Sequence, residues 1–133
     1  MIIFFPNYSF GYDQKDVDKL KKYNSCIHCD LAGANLSGMN LVSANLSSAN
    51  LSYANLSGAN LNYSILKGAN LENANLENAN LENANLVGSN LENIYLCGAN
   101  IKGIKGINPD KKQRLEDLTR ICTQVSEKQQ VSE

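Results

Sequence analysis

At 133 residues, with 43% hydrophobic content and a formal net charge of −1, the chain is the size of one domain and has too little basic excess for nucleic-acid binding. Its longest apolar run, Met1 to Pro6, is far short of the roughly 20 residues that a membrane-spanning helix needs, so no membrane span is expected.

The opening Met-Ile-Ile-Phe-Phe-Pro is followed by Ser9-Phe10-Gly11, a small-x-small pattern of the kind that precedes signal-peptide cleavage, although a basic n-region is missing. Two readings of residues 1–11 stay open: the remnant of a leader whose start lies upstream, or a disordered or strand-like tail. Residues 12–24 read as an N-terminal helical cap. Asp13 suits the first turn, Val17 and Leu20 form a small apolar face, Lys19, Lys21 and Lys22 suit the C-terminal end of the dipole, and Asn24 ends the helix. Cys26 and Cys29 then stand at C-x-x-C spacing. His28 lies inside the pair, so the haem-attachment motif is absent, and no second pair completes a zinc site. A local disulfide or two packed thiols is expected, with no metal.

Residues 25–107 carry an internal repeat. A leucine recurs at every fifth position from Leu31 through Leu36 and Leu41 to Leu96, and Ile101 continues the series. On an α-helix five residues step by roughly 140°, which scatters the leucines over every face, and on a flat strand an odd spacing sends them to alternating sides. A chain that turns a corner once per repeat points all of them at one axis. The position two before each leucine is Ala or Ser in most repeats, as at Ala44, Ala59 and Ser64, and so points inward too. Its bulky exceptions, Met39, Ile94 and Ile104, lie near the two ends, where a cap would meet a wider core. Between them the interior is expected to be tightly filled, with no ligand channel and no cofactor.

The outward positions hold little that could catalyse. Glu72, Glu77 and Glu82 occupy one equivalent position on successive faces, round corners from one another on a convex surface, whereas acid–base pairs need a shared cleft. A Walker loop, H-E-x-x-H and G-x-S-x-G are all absent. The chain is therefore expected not to be an enzyme. Apolar residues interrupt the polar exterior at Val42, Tyr53, Tyr63, Ile65, Val87 and Tyr95; of these, Tyr53, Tyr63, Ile65, Val87 and Tyr95 are the candidate partner contacts.

Asn108-Pro109-Asp110 starts a second helix spanning 108–126, with Leu115, Leu118, Ile121, Cys122 and Val125 on one stripe, ahead of a disordered tail at 127–133. The helix is expected to fold back and cap the repeat region; the alternative is a homodimer through the same stripe. Folding back would let Cys97 meet Cys122, giving a second disulfide beside Cys26 to Cys29.

Segments such as Ala44-Asn45-Leu46-Ser47-Ser48 and Ala79-Asn80-Leu81-Glu82-Asn83 match A-(N/D)-L-x-x, and in this the chain resembles the pentapeptide-repeat family over more than half its length. The resemblance implies an all-β solenoid, a right-handed quadrilateral β-helix with four pentapeptides per coil. About four coils at a sheet-like rise of about 4.8 Å would be roughly 19 Å long. Cys26-Ile27-His28-Cys29-Asp30-Leu31 also resembles family members that open their solenoid with C-x-x-C-D-L after a short helix. Many of those carry an export signal, so the resemblance implies a periplasmic or lumenal protein, with a cytoplasmic one as the alternative. Some family members mimic DNA and bind type II topoisomerases. Duplex DNA would present about eleven charges over 19 Å. Here Asp30, Glu72, Glu77, Glu82 and Glu92 stand against Lys67 and Lys102. The preferred reading is a monomeric, non-catalytic structural or protein-interaction module for an unknown protein partner, with topoisomerase binding by DNA mimicry as the alternative.

Overall fold

The computed structural model describes residues 11–131, with side chains through Arg120. The Ser9-Phe10-Gly11 leader reading falls largely outside the described residues, as do the side chains of Ile121, Cys122 and Val125.

Helix α1 spans Gln14–Tyr23. The Asp13 carboxylate accepts from the Lys15 amide at its start, and Asn24, in the left-handed region at φ 52°, closes its end by donating to the Leu20 carbonyl. Val17 and Leu20 are buried against the first repeats.

From Ser25 to Lys105 the chain is held by isolated parallel bridges that all join positions twenty apart, beginning with Ser25 and Asn45 and ending with Asn85 and Lys105. A register of twenty with an inward leucine every five makes four faces. Leu31, Leu51, Leu71 and Leu91 line the first; Leu36, Leu56, Leu76 and Leu96 the second; Leu41, Leu61, Leu81 and Ile101 the third. Cys26, Leu46, Leu66 and Leu86 line the fourth.

Each corner is a tight turn. The Ala34 amide donates to the Leu31 carbonyl at 3.1 Å, and Gly33, third in that turn, has φ 72°. A turn of this kind needs positive φ at its third residue, which accounts for the Gly, Asn and Ser that recur there. Between levels, the Leu31 amide donates to Asn50 and the Gly33 amide to Ser52, both at 2.8 Å, while Asn50 donates back to Cys29 at 2.9 Å. The backbone groups that the turns leave over are thus used by the next level.

The leucines and small residues close the interior. Leu46, Leu51, Leu56, Leu61 and Leu66 are fully buried, as are Ala44, Ala54, Ala59 and Ser64. Ile94 and Ile104 are buried near the C-terminal end, and with Leu115 they border a cavity of about 10 Å³. Its lining is apolar, so a water there would have no partner.

Helix α2 spans Pro109–Val131. The Asn108 side chain accepts from the Lys111 amide at 2.8 Å and caps its start. Leu115 is 4% exposed and belongs to the core, so the helix lies across the end of the coils. Two details depart from expectation. Leu118 is 40% exposed, because a neighbour three residues on is turned about 60° from the buried line. The helix also runs past 126, where a disordered tail was expected, because Glu127, Lys128, Gln129 and Gln130 favour helix and neither Gly nor Pro interrupts them.

Candidate functional site

Outside the packed leucines the coils present four outer faces. Their common feature is a side-chain clasp. The Asn55 Oδ1 accepts from the Ser57 amide at 3.0 Å and from the Ser57 hydroxyl at 2.7 Å, and Asn45 does the same for Ser47. Asp30 and the other Asn residues before a central leucine use the same acceptor geometry, as Asn75 does for the Glu77 amide at 3.0 Å. Such Asx turns stabilise the corner locally. Ile65 and Tyr95 occupy this position without a side-chain acceptor.

The repeat Leu61–Ile65 accumulates further departures. Tyr63 takes the left-handed conformation of the corner at φ 59°, as Tyr53 does at 58°, and this costs a residue with a Cβ roughly 1–2 kcal/mol. Among the described residues, Asn62 Oδ1 and Ser64 Oγ are buried without a hydrogen-bond partner. A buried unpartnered hydroxyl costs about 1–3 kcal/mol. Ile65 then ends the same repeat without the clasp.

The structure groups some of the candidate contacts and separates others. Ile65 and Val87 lie on the fourth face, and Tyr63 stands at the corner leading into it; all three are exposed. Lys67 lies between Ile65 and Val87, since the Gly68 amide bonds to the Val87 carbonyl at 2.8 Å one level up. Lys105 pairs with Asn85 above Ile65 on the same ladder. Ile27 is also exposed on this face. Its outward position was legible, since Cys26 stands five before Leu31. Tyr53 is ten residues from Tyr63 and occupies the opposite corner. Tyr95 is on the second face, beside Cys97 and near α2.

Charge divides by face. Within residues 25–107, Asp30, Glu72 and Glu92 are on the first face, Glu77 on the second and Glu82 with Lys102 on the third. Asn100 reaches from the third-face ladder to the Glu82 carboxylate at 3.3 Å. The charged side chains of the fourth face are Lys67 and Lys105, with no carboxylate.

Cys26 and Cys29 are joined in a disulfide. They occupy a central and a small inward position of the repeat, so their sulfurs meet inside the first level. Cys26 Sγ lies 3.2 Å from the Asp16 carbonyl oxygen. A disulfide sulfur has no proton, so this is a contact and not a hydrogen bond. Asp16, Cys26 and Cys29 bring potential ligand atoms within 4.8 Å of one another, but the bonded sulfurs supply no thiolate for a metal, and the Asp16 carboxylate already accepts from the Asp30 amide at 2.8 Å. Cys97 is also disulfide-bonded; the side chain of its expected partner, Cys122, lies outside the described residues.

A family model described as Pentapeptide repeats matches residues 25–62 and 64–103 in 8 copies, more than half of the chain. HetL, a pentapeptide repeat protein involved in heterocyst differentiation regulation from the cyanobacterium Nostoc sp. strain PCC 7120, is 34% identical, with a TM-score of 0.56. That match covers 57% of this chain and 35% of HetL, so the chain spans about a third of HetL's length. The pentapeptide repeat protein alr5209 from Nostoc PCC 7120 is 30% identical over 71% of this chain and 74% of its own, with a TM-score of 0.46. Rfr23, a pentapeptide repeat protein from the cyanobacterium Cyanothece 51142, is 28% identical over 68% of this chain and 97% of its own, with a TM-score of 0.36. No curated protein matches the chain.

Proposed function

The chain belongs to the pentapeptide-repeat family, and from that premise we propose that it is a non-catalytic protein-interaction module, a solenoid of about four coils that presents its faces to a protein partner. Proteins of this family fold as right-handed quadrilateral β-helices and are generally non-enzymatic structural or interaction modules. The observation that carries the reading is the exposure of Tyr63, Ile65 and Val87 on and beside one face, over coils packed with buried leucine and small side chains. Among the described residues, no helix is long and apolar enough to cross a membrane.

DNA mimicry fits less well. Asp30, Glu72, Glu77, Glu82 and Glu92 are spread over three faces, so no single face approaches the roughly eleven charges that a duplex carries over 19 Å. Export to an oxidising compartment accompanies the proposal, supported by the bonded state of Cys26, Cys29 and Cys97.

Affinity capture on the immobilised protein from extracts of the source cell, followed by reconstitution with the purified candidate, tests the function. A stoichiometric complex with a protein other than a topoisomerase is the expected result. A type II topoisomerase as the reconstituted partner would establish the alternative, and failure to reconstitute any complex would overturn the interaction reading.

A further inference from the structure

The fourth face and the corner leading into it combine two features that local stability does not explain. Tyr63, at φ 59°, fills a corner position that is Ser43, Asn83 and Gly103 at the other levels of its register. Ile65 replaces the clasping Asn of its ladder neighbours Asn45 and Asn85. Positive φ belongs to the corners throughout, so the departure at Tyr63 is the large side chain placed there and not the backbone conformation. Both departures fall next to one another, and both place a large apolar side chain in solvent, 57% exposed for Tyr63 and 37% for Ile65. Val87, exposed as well, extends the apolar surface one level along the axis.

The charge on this face then selects the occupant. Lys67 lies among these apolar residues and Lys105 near them, while every carboxylate of residues 25–107 is on another face. A basic or neutral partner would leave both ammonium groups without an opposite charge, whereas an acidic one pairs them as its aliphatic groups cover Ile65 and Val87.

We propose that the face bearing Tyr63, Ile65, Lys67, Val87 and Lys105 docks an acidic segment of a partner protein, with carboxylates alternating with aliphatic side chains. The proposal rests on the interaction-module reading and names the face and the chemistry it selects. An extended segment suits this face, because Ile65 and Lys105 stand on one ladder and Lys67 and Val87 in the column beside it, so acidic and aliphatic groups are both met along the length of a strand.

The test uses the full chain and a synthetic peptide of sequence Glu-Val-Glu-Ser-Glu-Val-Glu-Ser, blocked at both ends, with a second peptide in which Lys replaces every Glu. Amide chemical shifts are followed by NMR. Saturable shifts with the Glu peptide, centred on residues 63–68, 85–88 and 105, are expected, with none at these positions from the Lys peptide. Lys67→Glu combined with Lys105→Glu should weaken binding about tenfold or more. Ile65→Asn and Tyr63→Asn restore the residues that other repeats use, so each should raise the melting temperature by roughly 2–6 °C while weakening binding. A variant that is more stable yet binds less separates docking from folding. No saturable shift, shifts centred on the first three faces, or shifts on this face caused by self-association without peptide would each overturn the proposal. If the reconstituted cellular partner binds Lys67→Glu/Lys105→Glu as tightly as the unaltered chain, the face is wrong and the interaction reading stands; if no partner exists at all, that reading itself fails.

Discussion

The Gly98 amide donates to the Thr119 carbonyl at 3.3 Å, which ties the second face of the solenoid to the third turn of α2. With Leu115 buried among Ile94, Leu96, Ile101 and Ile104, the helix covers a cross-section that would otherwise expose apolar side chains and unpaired backbone. Removing residues 109–133 should therefore lower the melting temperature and cause aggregation, and Leu115→Asp should cost about 3 kcal/mol or more. Thermal denaturation and analytical sedimentation report both, and the intact chain should sediment as a monomer. A dimer that Leu118→Glu converts into an equally stable monomer would assign the helix to an interface instead.

Two glycines separate conformational strain from collision. A Cβ on Gly58 would meet nothing within 4 Å, so Gly58→Ala should lose only the roughly 1 kcal/mol of holding alanine at φ 66°. At Gly106, with φ 82°, a Cβ would run into the backbone of Val87. Gly106→Ala should cost at least twice as much, since backbone cannot step aside as a side-chain tip can. Denaturant midpoints of the two variants decide the order.

The Asx clasp predicts a graded series. Asn55→Ala removes the acceptor for the Ser57 amide and hydroxyl together and should destabilise by about 1 kcal/mol. Ser57→Ala removes the hydroxyl bond alone and should cost less than half of that. Equal losses in urea unfolding would mean that the backbone bond contributes nothing.

Thiol chemistry tests the cysteine assignments. Protein isolated without reductant should titrate no free thiols, since Cys26, Cys29 and Cys97 are all bonded. Cys26→Ser with Cys29→Ser should lower stability by about 2 kcal/mol, the value expected for so short a closed loop. Four reactive thiols in the isolated protein would remove the claim and with it the support for export.

Much of the architecture was legible because the leucine series has no gap: a period of five suits neither helix nor strand, and only a turning chain buries Leu31 through Ile101 together. Ile94 and Ile104 likewise signalled the end that Leu115 covers. The in-register role of Cys26 was readable by counting back five from Leu31, yet the pair looked like an isolated C-x-x-C. The left-handed corner escaped notice because Gly, Asn, Ser and even Tyr share it, so no single residue type announces the geometry. The grouping of Tyr63, Ile65, Val87 and the two lysines needed the twenty-residue register; in the sequence these residues are spread from 63 to 105, and only the coil brings them to one side. Leu118 fell outside the buried line because helical spacing gives a stripe and not the width of the surface that it meets.

The twenty-residue register also sets how this chain can change its length. Losing or gaining a single residue after Leu66 would turn every later leucine outward and should not yield a folded product. A five-residue deletion would preserve the inward pattern but swing everything beyond it a quarter turn about the axis, moving Val87 and Lys105 away from Ile65 and α2 to another side. Deleting twenty residues, one whole level, would return each later residue to its original face. Duplication and loss by whole levels is thus the quantum in which such a molecule can grow or shrink while keeping both its caps and the alignment of any surface that spans several levels.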